Sequence, residues 1–282
     1  MTIFADEAVE RFVLGLRAPG PKPSVARMRE GAAQRARERP PGPPMAVEDR
    51  VAGHVPVRVY PQEGRTRIVY LHGGGFVLGD LDTHDLVCRR LAAATGATVV
   101  AVGYRRAPEH AYPAAVEDAL AVLGWAAEAG PVAVAGDSAG AFVAVLAARR
   151  AAVPLVAQLL VCPLLDLALT QPSADEFGLG YTLDVPELRE WISWWAPEPQ
   201  ALPNPLRFPL EGMPPALIVA AGLDPLRDGA VAYAERLRGA GVPATLHVEA
   251  GLVHNHPMYA HLAPAAERAY ARFLTDAAAI LR

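Results

Sequence analysis

Residues 132–150, "VAVAGDSAGAFVAVLAARR", decide the fold of this chain. The stretch begins as an apolar strand, turns at "GDSAG" (136–140) and continues at once as a helix. A turn this tight needs flanking positions almost free of side chain, and Gly136 and Gly140 provide them. A G-x-S-x-G turn between a strand and a helix predicts a nucleophile elbow. Ser138 would then stand at the strand end, with the N–H of Ala139 directed at a developing oxyanion.

Outward from this stretch, strand and helix patterns alternate along the chain. Short runs rich in Val, Ile and Leu are typical of strands buried on both faces. Those runs are "RIVYLHG" (67–73), "TVVAVGY" (98–104), "LVAQLLVCPL" (155–164), "ALIVAAGLD" (216–224) and "TLHVEAG" (245–251). Helical patterns are expected at Leu86–Thr95, Pro113–Glu128, Ala139–Arg150, Gly229–Ala240 and Pro264–Leu281. The repeat predicts an α/β fold with a mostly parallel sheet, and "HVPVRVY" (54–60) is expected as an antiparallel edge strand.

A second glycine-rich motif follows the strand at 67–73. Three consecutive glycines, Gly73, Gly74 and Gly75, come after His72 and let the backbone approach a ligand with free N–H groups. This is the HGGG-type loop that completes an oxyanion hole beside a nucleophile elbow. His72 is expected to orient the loop rather than to titrate in catalysis.

A serine hydroxyl needs a general base, because it is a weak nucleophile at neutral pH. In this type of fold the base is a histidine that follows an acid in the chain. Asp224 lies at a strand end, whereas Asp228 lies at the head of a helix, where capping is the simpler interpretation. The strand at 245–251 leads to His254 and His256, and a His-x-His pair is also compatible with metal binding.

Five stretches together resemble the bacterial hormone-sensitive-lipase family (family IV) of esterases, within the α/β-hydrolase fold. In chain order they are "HGGGFVLGDLDTHD", "YRRAPEHAYPAAVEDA", "GDSAGA", "PPALIVAAGLDPLRDGA" and "GLVH", and the likeness covers roughly residues 50–282. The resemblance implies a mostly parallel central sheet flanked by helices, with a small helical cap. It also implies a carboxylesterase that hydrolyses short- to medium-chain acyl esters and uses no metal or other cofactor.

The resemblance assigns site residues as well. It implies Ser138 as the nucleophile, Asp224 as the acid and His254 as the base. The oxyanion hole would use the amides of Gly73, Gly74 and Ala139, with Gly75 as a substitute in the glycine pair. The chain has Asn255-His256 where the family usually has Gly-Phe. His256 is therefore expected to be a pocket or packing residue rather than a second base.

The cap is expected in two pieces outside the core of a catalytic domain at 46–282. Residues 1–45 hold possible amphipathic helices at Asp6–Leu16 and Ser24–Arg39, followed by the breaker "RPPGPP". An insertion at about 171–210 carries Trp191, Trp194 and Trp195, whose spacing places them on one helix face. Trp191 and Trp195 are candidates for the substrate pocket; the alternative is that these aromatics form only the cap's own core.

Composition limits the possible functions. The chain has 282 residues, 52% of them hydrophobic, and a net charge of −4, so nucleic acid is not an expected partner. No apolar run is long enough for a membrane span, and acidic residues near the N-terminus argue against a secretory signal. Two cysteines are too few for a disulfide framework, which favours a cytoplasmic protein. The expected partner is a small acyl ester, and a homodimer is possible.

Three other functions compete with ester hydrolysis. A metallohydrolase could use His254, His256 and His261, although the serine motif would then have no role. A catalytically silent binding protein could share the fold, but such proteins lose a member of the triad. An amidase or a deacetylase would use the same triad, so the sequence does not separate it from an esterase.

Overall fold

A computed structural model describes residues 3–15 and 23–282. The framework of this part of the chain is one eight-stranded sheet. The strands are β1 (Glu48–Ala52), β2 (Val55–Tyr60), β3 (Gly64–Leu71), β4 (Ala97–Val102), β5 (Val132–Asp137), β6 (Leu155–Val161), β7 (Ala216–Leu223) and β8 (Ala244–Val253). Their order across the sheet is β1-β2-β4-β3-β5-β6-β7-β8. The strands from β3 to β8 run parallel, whereas β1 and β2 are antiparallel to their neighbours.

Helices cover both faces of the sheet. They are α1 (Glu7–Gly15), α2 (Val25–Arg37), α3 (Asp85–Thr95), α4 (Ala114–Ala127), α5 (Ser138–Arg150), α6 (Pro172–Glu176), α7 (Val185–Trp195), α8 (Arg227–Gly239) and α9 (Pro264–Ile280). Buried residues of α4, α5, α7 and α8 share one hydrophobic cluster, and those of α1, α3 and α9 share the other. The sheet therefore separates two cores, and the mostly parallel α/β architecture predicted from the sequence is confirmed.

The antiparallel end of the sheet differs from the prediction. The strand expected at residues 54–60 is present as β2 and is antiparallel, but β1 lies outside it and is the edge strand. The sequence of β1, "EDRVA", has three charged residues in five and does not show the apolar alternation of a half-buried strand. Charged side chains are common on edge strands because they discourage further pairing. The prediction of β2 as the edge was therefore wrong.

The N-terminal segment and the 171–210 insertion each contain two α-helices among the described residues. The two predicted N-terminal helices are present as α1 and α2, although Leu16, the expected end of the first, lies outside the described residues. The insertion holds α6 and α7, followed by a short 3-10 turn at Pro199–Ala201. Within the two described ranges, no helix is both long and apolar enough to span a membrane.

Candidate active site

The serine turn joins β5 directly to α5, as the motif predicts. Ser138 has a φ of 53°, a left-handed backbone conformation that is costly for a residue with a side chain. The serine turn packs closely against the end of β3. A β-carbon at Gly136 would lie 2.8 Å from the carbonyl of Leu71, and one at Gly140 would clash with the carbonyls of Leu71 and His72. The two glycines are required by this packing, and it presents the Ser138 side chain at the carboxyl edge of the sheet.

Three side chains from three strand ends meet at that edge. Nε2 of His254 lies 3.0 Å from Oγ of Ser138, and Nδ1 of His254 lies 2.8 Å from Oδ2 of Asp224. A carboxylate only accepts hydrogen bonds, so Nδ1 carries the proton and Nε2 offers its lone pair to the Ser138 hydroxyl. Asp224 is fully buried, and its other oxygen accepts the N–H of Leu226 at 2.9 Å. The arrangement can take the proton of Ser138 while Asp224 holds the imidazole in place.

Asp228, the rejected alternative acid, has a different set of contacts. Its Oδ2 accepts the N–H of Ser173 at 2.9 Å, and its Oδ1 accepts from Arg227 at 2.8 Å. Ser173 lies in the first turn of α6, where backbone N–H groups have no helical partner. Asp228 therefore attaches the insertion to α8 and lies outside the group formed by Ser138, His254 and Asp224.

The glycine loop after β3 lies against the serine turn, but the N–H of its first glycine is bonded to a side chain of the protein. The N–H of Gly73 donates to Oδ1 of Asp137 at 3.0 Å, so it is already used within the protein. The expectation that Gly73 contributes to an oxyanion hole is therefore wrong. Gly74 and Gly75 both have positive φ, and none of the described hydrogen bonds uses their N–H groups. These two amides, with that of Ala139, are the remaining donors of the predicted set.

His72 has the supporting position expected of it. Its ring stacks on Tyr104 with centroids 4.1 Å apart, and Nδ1 lies 2.9 Å from the carbonyl oxygen of Gly73. The Tyr104 hydroxyl donates to the carbonyl of His72 at 2.6 Å. Burial lowers the pKa of His72 to about 3, so its imidazole is neutral at ordinary pH. A neutral Nδ1–H that donates to Gly73 fixes the path of the glycine loop.

The three pocket candidates occupy different environments. The Trp191 ring packs against Gly75 and leaves no room there for a β-carbon, so it lies beside the glycine loop. Trp195 is fully buried, stacked on Phe76 at 3.9 Å and edge-on to Phe142. Trp195 is therefore a core residue, as the alternative interpretation of the insertion allowed, and its assignment to the pocket was wrong.

His256 is likewise enclosed rather than open to a substrate. It is 0% exposed, and its Nδ1 lies 4.0 Å from Sγ of Cys162. The structure thus favours the packing role over the pocket role for His256. The assignment to the pocket failed because the sequence does not show that the chain turns inward after His254, into the 3-10 turn His256–Leu262.

Two neighbours of the group formed by Ser138, His254 and Asp224 had no role assigned from the sequence. Cys162, at the end of β6, accepts the N–H of Asn255 at 3.4 Å and lies close to Asp224 and His254. Asn255 has a φ of 58° and donates its side-chain amide to Asp137. The available signal was Asn255 itself, since asparagine in place of glycine indicates a left-handed backbone position. For Cys162 the sequence offered no comparable signal.

A three-histidine metal site is not formed by the residues that the structure describes. Within them, the one group of metal-binding side chains close enough to share an ion is Cys162, Asp224 and His254, which leaves out His256 and His261. His254 and Asp224 are already hydrogen-bonded to each other. The His-x-His sequence therefore reflects one histidine at the site and one in the core.

Comparison with known proteins agrees with this geometry. Residues 68–258 match the family model described as the alpha/beta hydrolase fold. The chain is 42% identical to esterase LipI of Mycobacterium tuberculosis, over 83% of this chain and 80% of that protein. It is 38% identical to ethyl acetate hydrolase of Pseudomonas putida, over 72% of each chain.

Solved structures show the same likeness. An esterase of the bacterial hormone-sensitive lipase family superimposes with a TM-score of 0.91 at 28% identity, over all of both chains. The strand ends that carry the buried acid, the histidine and the strained serine are those expected of this architecture. The chain therefore belongs to the α/β-hydrolase family, in its hormone-sensitive-lipase branch, and is a serine ester hydrolase.

Proposed function

We propose that this enzyme hydrolyses short-chain acyl esters with Ser138 as nucleophile, His254 as general base and Asp224 as the orienting acid. The observation that carries the proposal is the continuous pair of hydrogen bonds from Ser138 through His254 to Asp224. Ser138 attacks the ester carbonyl as His254 takes its proton, and the charged imidazole is stabilised by Asp224. The amides of Gly74, Gly75 and Ala139 hold the oxyanion.

Collapse of the tetrahedral intermediate releases the alcohol, which receives the proton from Nε2 of His254. Ser138 is then acylated. A water molecule, deprotonated by the same nitrogen, attacks the acyl-serine, and a second tetrahedral intermediate releases the acid and restores Ser138. Every proton passes through one imidazole nitrogen, and this requires His254 to keep its orientation through the whole cycle.

The preference for short acyl groups is supported by Trp191. Its ring lies against Gly75, next to the proposed oxyanion donors, and the residue is only 7% exposed. A bulky ring at this point limits the volume beside the carbonyl carbon of a bound ester. The relative from Pseudomonas putida is named an ethyl acetate hydrolase, which is consistent with a small acyl group.

A panel of p-nitrophenyl esters of increasing acyl length tests the proposal. We expect the highest kcat/KM between acetyl and butyryl esters and a decline for longer chains. Ser138→Ala should reduce turnover by several orders of magnitude, as triad deletions do in other serine hydrolases. Near-normal hydrolysis by Ser138→Ala would contradict the assignment of Ser138 as nucleophile. A maximum of kcat/KM at long acyl chains would contradict the role of Trp191 in limiting acyl length.

Three further assays separate the competing functions. An organophosphonate probe should add its mass to Ser138 in the native enzyme and not in Ser138→Ala, whereas a silent binding protein would not react. Hydrolysis that is lost with a strong chelator would favour a metal mechanism. A matched anilide substrate, cleaved faster than the ester, would favour an amidase.

We further propose that residues 1–45, as far as the structure describes them, and residues about 171–210 together form a cap over the site. The ring centroids of Phe4 and Tyr181 lie 6.2 Å apart, and this contact joins the two segments. A cytoplasmic location is supported by two buried free cysteines. A homodimer is supported by the position of β8 at the edge of the sheet, where no described strand other than β7 pairs with it, although the N–H of Ala5 bonds to the carbonyl of Gly251. Light scattering on a gel-filtration column tests the homodimer.

A further inference from the structure

Asn255, the residue after His254, holds a position that glycine would fill more easily. Its φ of 58° lies in the left-handed region, which glycine enters freely and asparagine tolerates better than most residues. The backbone alone therefore does not explain the side chain. Nδ2 of Asn255 donates to Oδ2 of Asp137 at 2.7 Å, a short bond to a buried carboxylate.

Asp137 connects the serine turn to the glycine loop. It directly precedes Ser138, and its Oδ1 accepts both the Gly73 N–H at 3.0 Å and the Tyr70 hydroxyl at 2.6 Å. One carboxylate thus belongs to the serine turn and contacts both the glycine loop and the histidine loop, which is the segment that holds His254 and Asn255. Among the described residues, only Asn255 connects the histidine loop to Asp137 by a hydrogen bond.

The Asp137 carboxylate is ionised and well supplied with donors. Burial disfavours its charge, but His84, 3.4 Å away, and the donors Tyr70 and Asn255 outweigh this effect and hold the pKa below its ordinary value. Because a carboxylate only accepts, the nitrogen of the Asn255 amide must face it. Hydrogen bonds to a charged partner are about twice as strong as neutral ones. The contact is therefore strong enough to orient a loop.

We propose that Asn255 is a positioning residue: its amide, held by Asp137, fixes the backbone after His254 and so keeps the imidazole aligned between Ser138 and Asp224. The inference rests on the proposed triad. On its other side His254 follows the end of β8, so the loop is held at both ends. Small misplacements of a catalytic group can reduce a rate by orders of magnitude, which makes such a contact valuable for turnover.

Asn255→Gly is the matched test, because glycine keeps the left-handed backbone and removes only the amide. We expect kcat per titrated active site to fall about tenfold, with KM for p-nitrophenyl butyrate changed less than about twofold. Binding of the ester does not need a correctly oriented imidazole, whereas both chemical steps do. A kcat within about twofold of the native value would overturn the inference.

A paired exchange separates positioning from general stabilisation. Asn255→Asp alone would place two carboxylates together and should be slower than Asn255→Gly. Adding Asp137→Asn should restore much of the loss, because Asn at position 137 can donate to Asp at position 255 while its oxygen still accepts from Gly73 and Tyr70. If the double variant is no faster than Asn255→Asp, the inference is overturned. This comparison also decides the matter if Asn255→Gly does not fold.

Phosphonate labelling distinguishes this inference from the proposed function. If native enzyme fails to label at Ser138, the triad itself is wrong. If native enzyme labels and Asn255→Gly labels about tenfold more slowly at the same residue, the positioning role is supported. Equal labelling rates in the two proteins contradict the positioning role and leave the triad intact.

Discussion

The imidazole of His256 is fully buried, and its Nε2 has no hydrogen-bond partner among the residues that the structure describes. Burial, with smaller electrostatic contributions from the neighbouring imidazole of His254 and from Arg272, lowers the pKa of His256 to about 3. In the unfolded chain a histidine has a pKa of about 6.5. Between these two values the unfolded chain binds a proton that the folded protein does not, so stability falls as the pH falls through this window.

Replacement of His256 by Phe should therefore make the enzyme less sensitive to acid. Each pH unit in the window changes the free energy of unfolding by up to about 1.4 kcal/mol for one such group. Between pH 6.5 and pH 5 we expect native protein to lose about 1.6 kcal/mol more than His256→Phe, because the unfolded histidine is already half protonated at about pH 6.5. Urea unfolding at several pH values measures this difference, and any constant cost of fitting the larger ring cancels from it.

His72 is also buried and neutral, and it is retained in both proteins. His256→Phe should therefore remove only part of the pH dependence of the free energy of unfolding. Ester hydrolysis per active site and acyl preference should stay unchanged, because His256 does not face the substrate. Identical pH dependence of unfolding in the two proteins would contradict the buried neutral state. A shift in acyl preference would show that His256 lines the substrate pocket.

At the residue scale, the sequence predicted which three side chains the structure brings together at the carboxyl edge of the sheet. Ser138, Asp224 and His254 each follow a recognisable strand, and parallel strands bring their ends together. The direction of the Gly73 amide was not predictable, because it depends on the rotamer of Asp137 and not on glycine spacing. The same carboxylate explains Asn255, whose partner lies 118 residues away in the chain.

Among the elements, α2 has one dominant attachment to the catalytic domain. Nε and Nη2 of Arg29 donate to the carbonyls of Val77 and Ala107 at 2.9 and 2.8 Å. The guanidinium also pairs with Glu109 through two bonds of 2.7 and 2.8 Å. Glu109 is half-exposed, so this pair is screened by solvent and the carbonyl contacts matter more. Val77 follows the glycine loop closely, and Arg29 thus links α2 to the site.

Arg29→Gln should loosen α2 without unfolding the sheet. We expect amide hydrogen exchange across residues 25–37 to quicken by about a hundredfold, the size expected from losing two charge-assisted bonds of about 1.5 kcal/mol each. Arg27→Gln is the matched control, because it removes the same charge from an exposed position of the same helix. Equal exchange in the two variants would show that apolar packing of Val25 and Met28 holds the helix instead.

The elements themselves were largely predictable, and the exceptions have a physical cause. α3, α4, α5, α8 and α9 lie within two residues of the predicted bounds because their periodicity and flanking turns are local properties. β1 was missed because it is short and charged, and its place in the sheet depends on its ladder with β2, which is not a local property of its sequence. The placement of Trp195 in the core follows from Phe76 and Phe142, which are distant in sequence.

Across the whole molecule, the two cysteines share one of the two cores, the cluster that also contains α1, α3 and α9. Cys88 lies on α3 and is 0% exposed; Cys162 follows β6 and is 1% exposed. Burial raises the pKa of both thiols well above the ordinary value, and nearby Asp85 and Asp224 add to the effect for Cys88 and Cys162 respectively. Since the thiolate is the reactive form, both residues should be inert in the folded protein.

The rate at which these thiols react therefore measures how cooperatively the molecule opens. With a disulfide reagent in excess, we expect no release of its chromophore from native enzyme, and two equivalents per chain in urea. In mild denaturant both thiols should react at one rate, equal to global unfolding, because each packs against the central sheet. The single variants Cys88→Ala and Cys162→Ala assign the two signals. If Cys162 reacts faster than Cys88, the ends of β6, β7 and β8 open before the rest of the sheet, and the proposed triad lies in a part of the fold that unfolds separately.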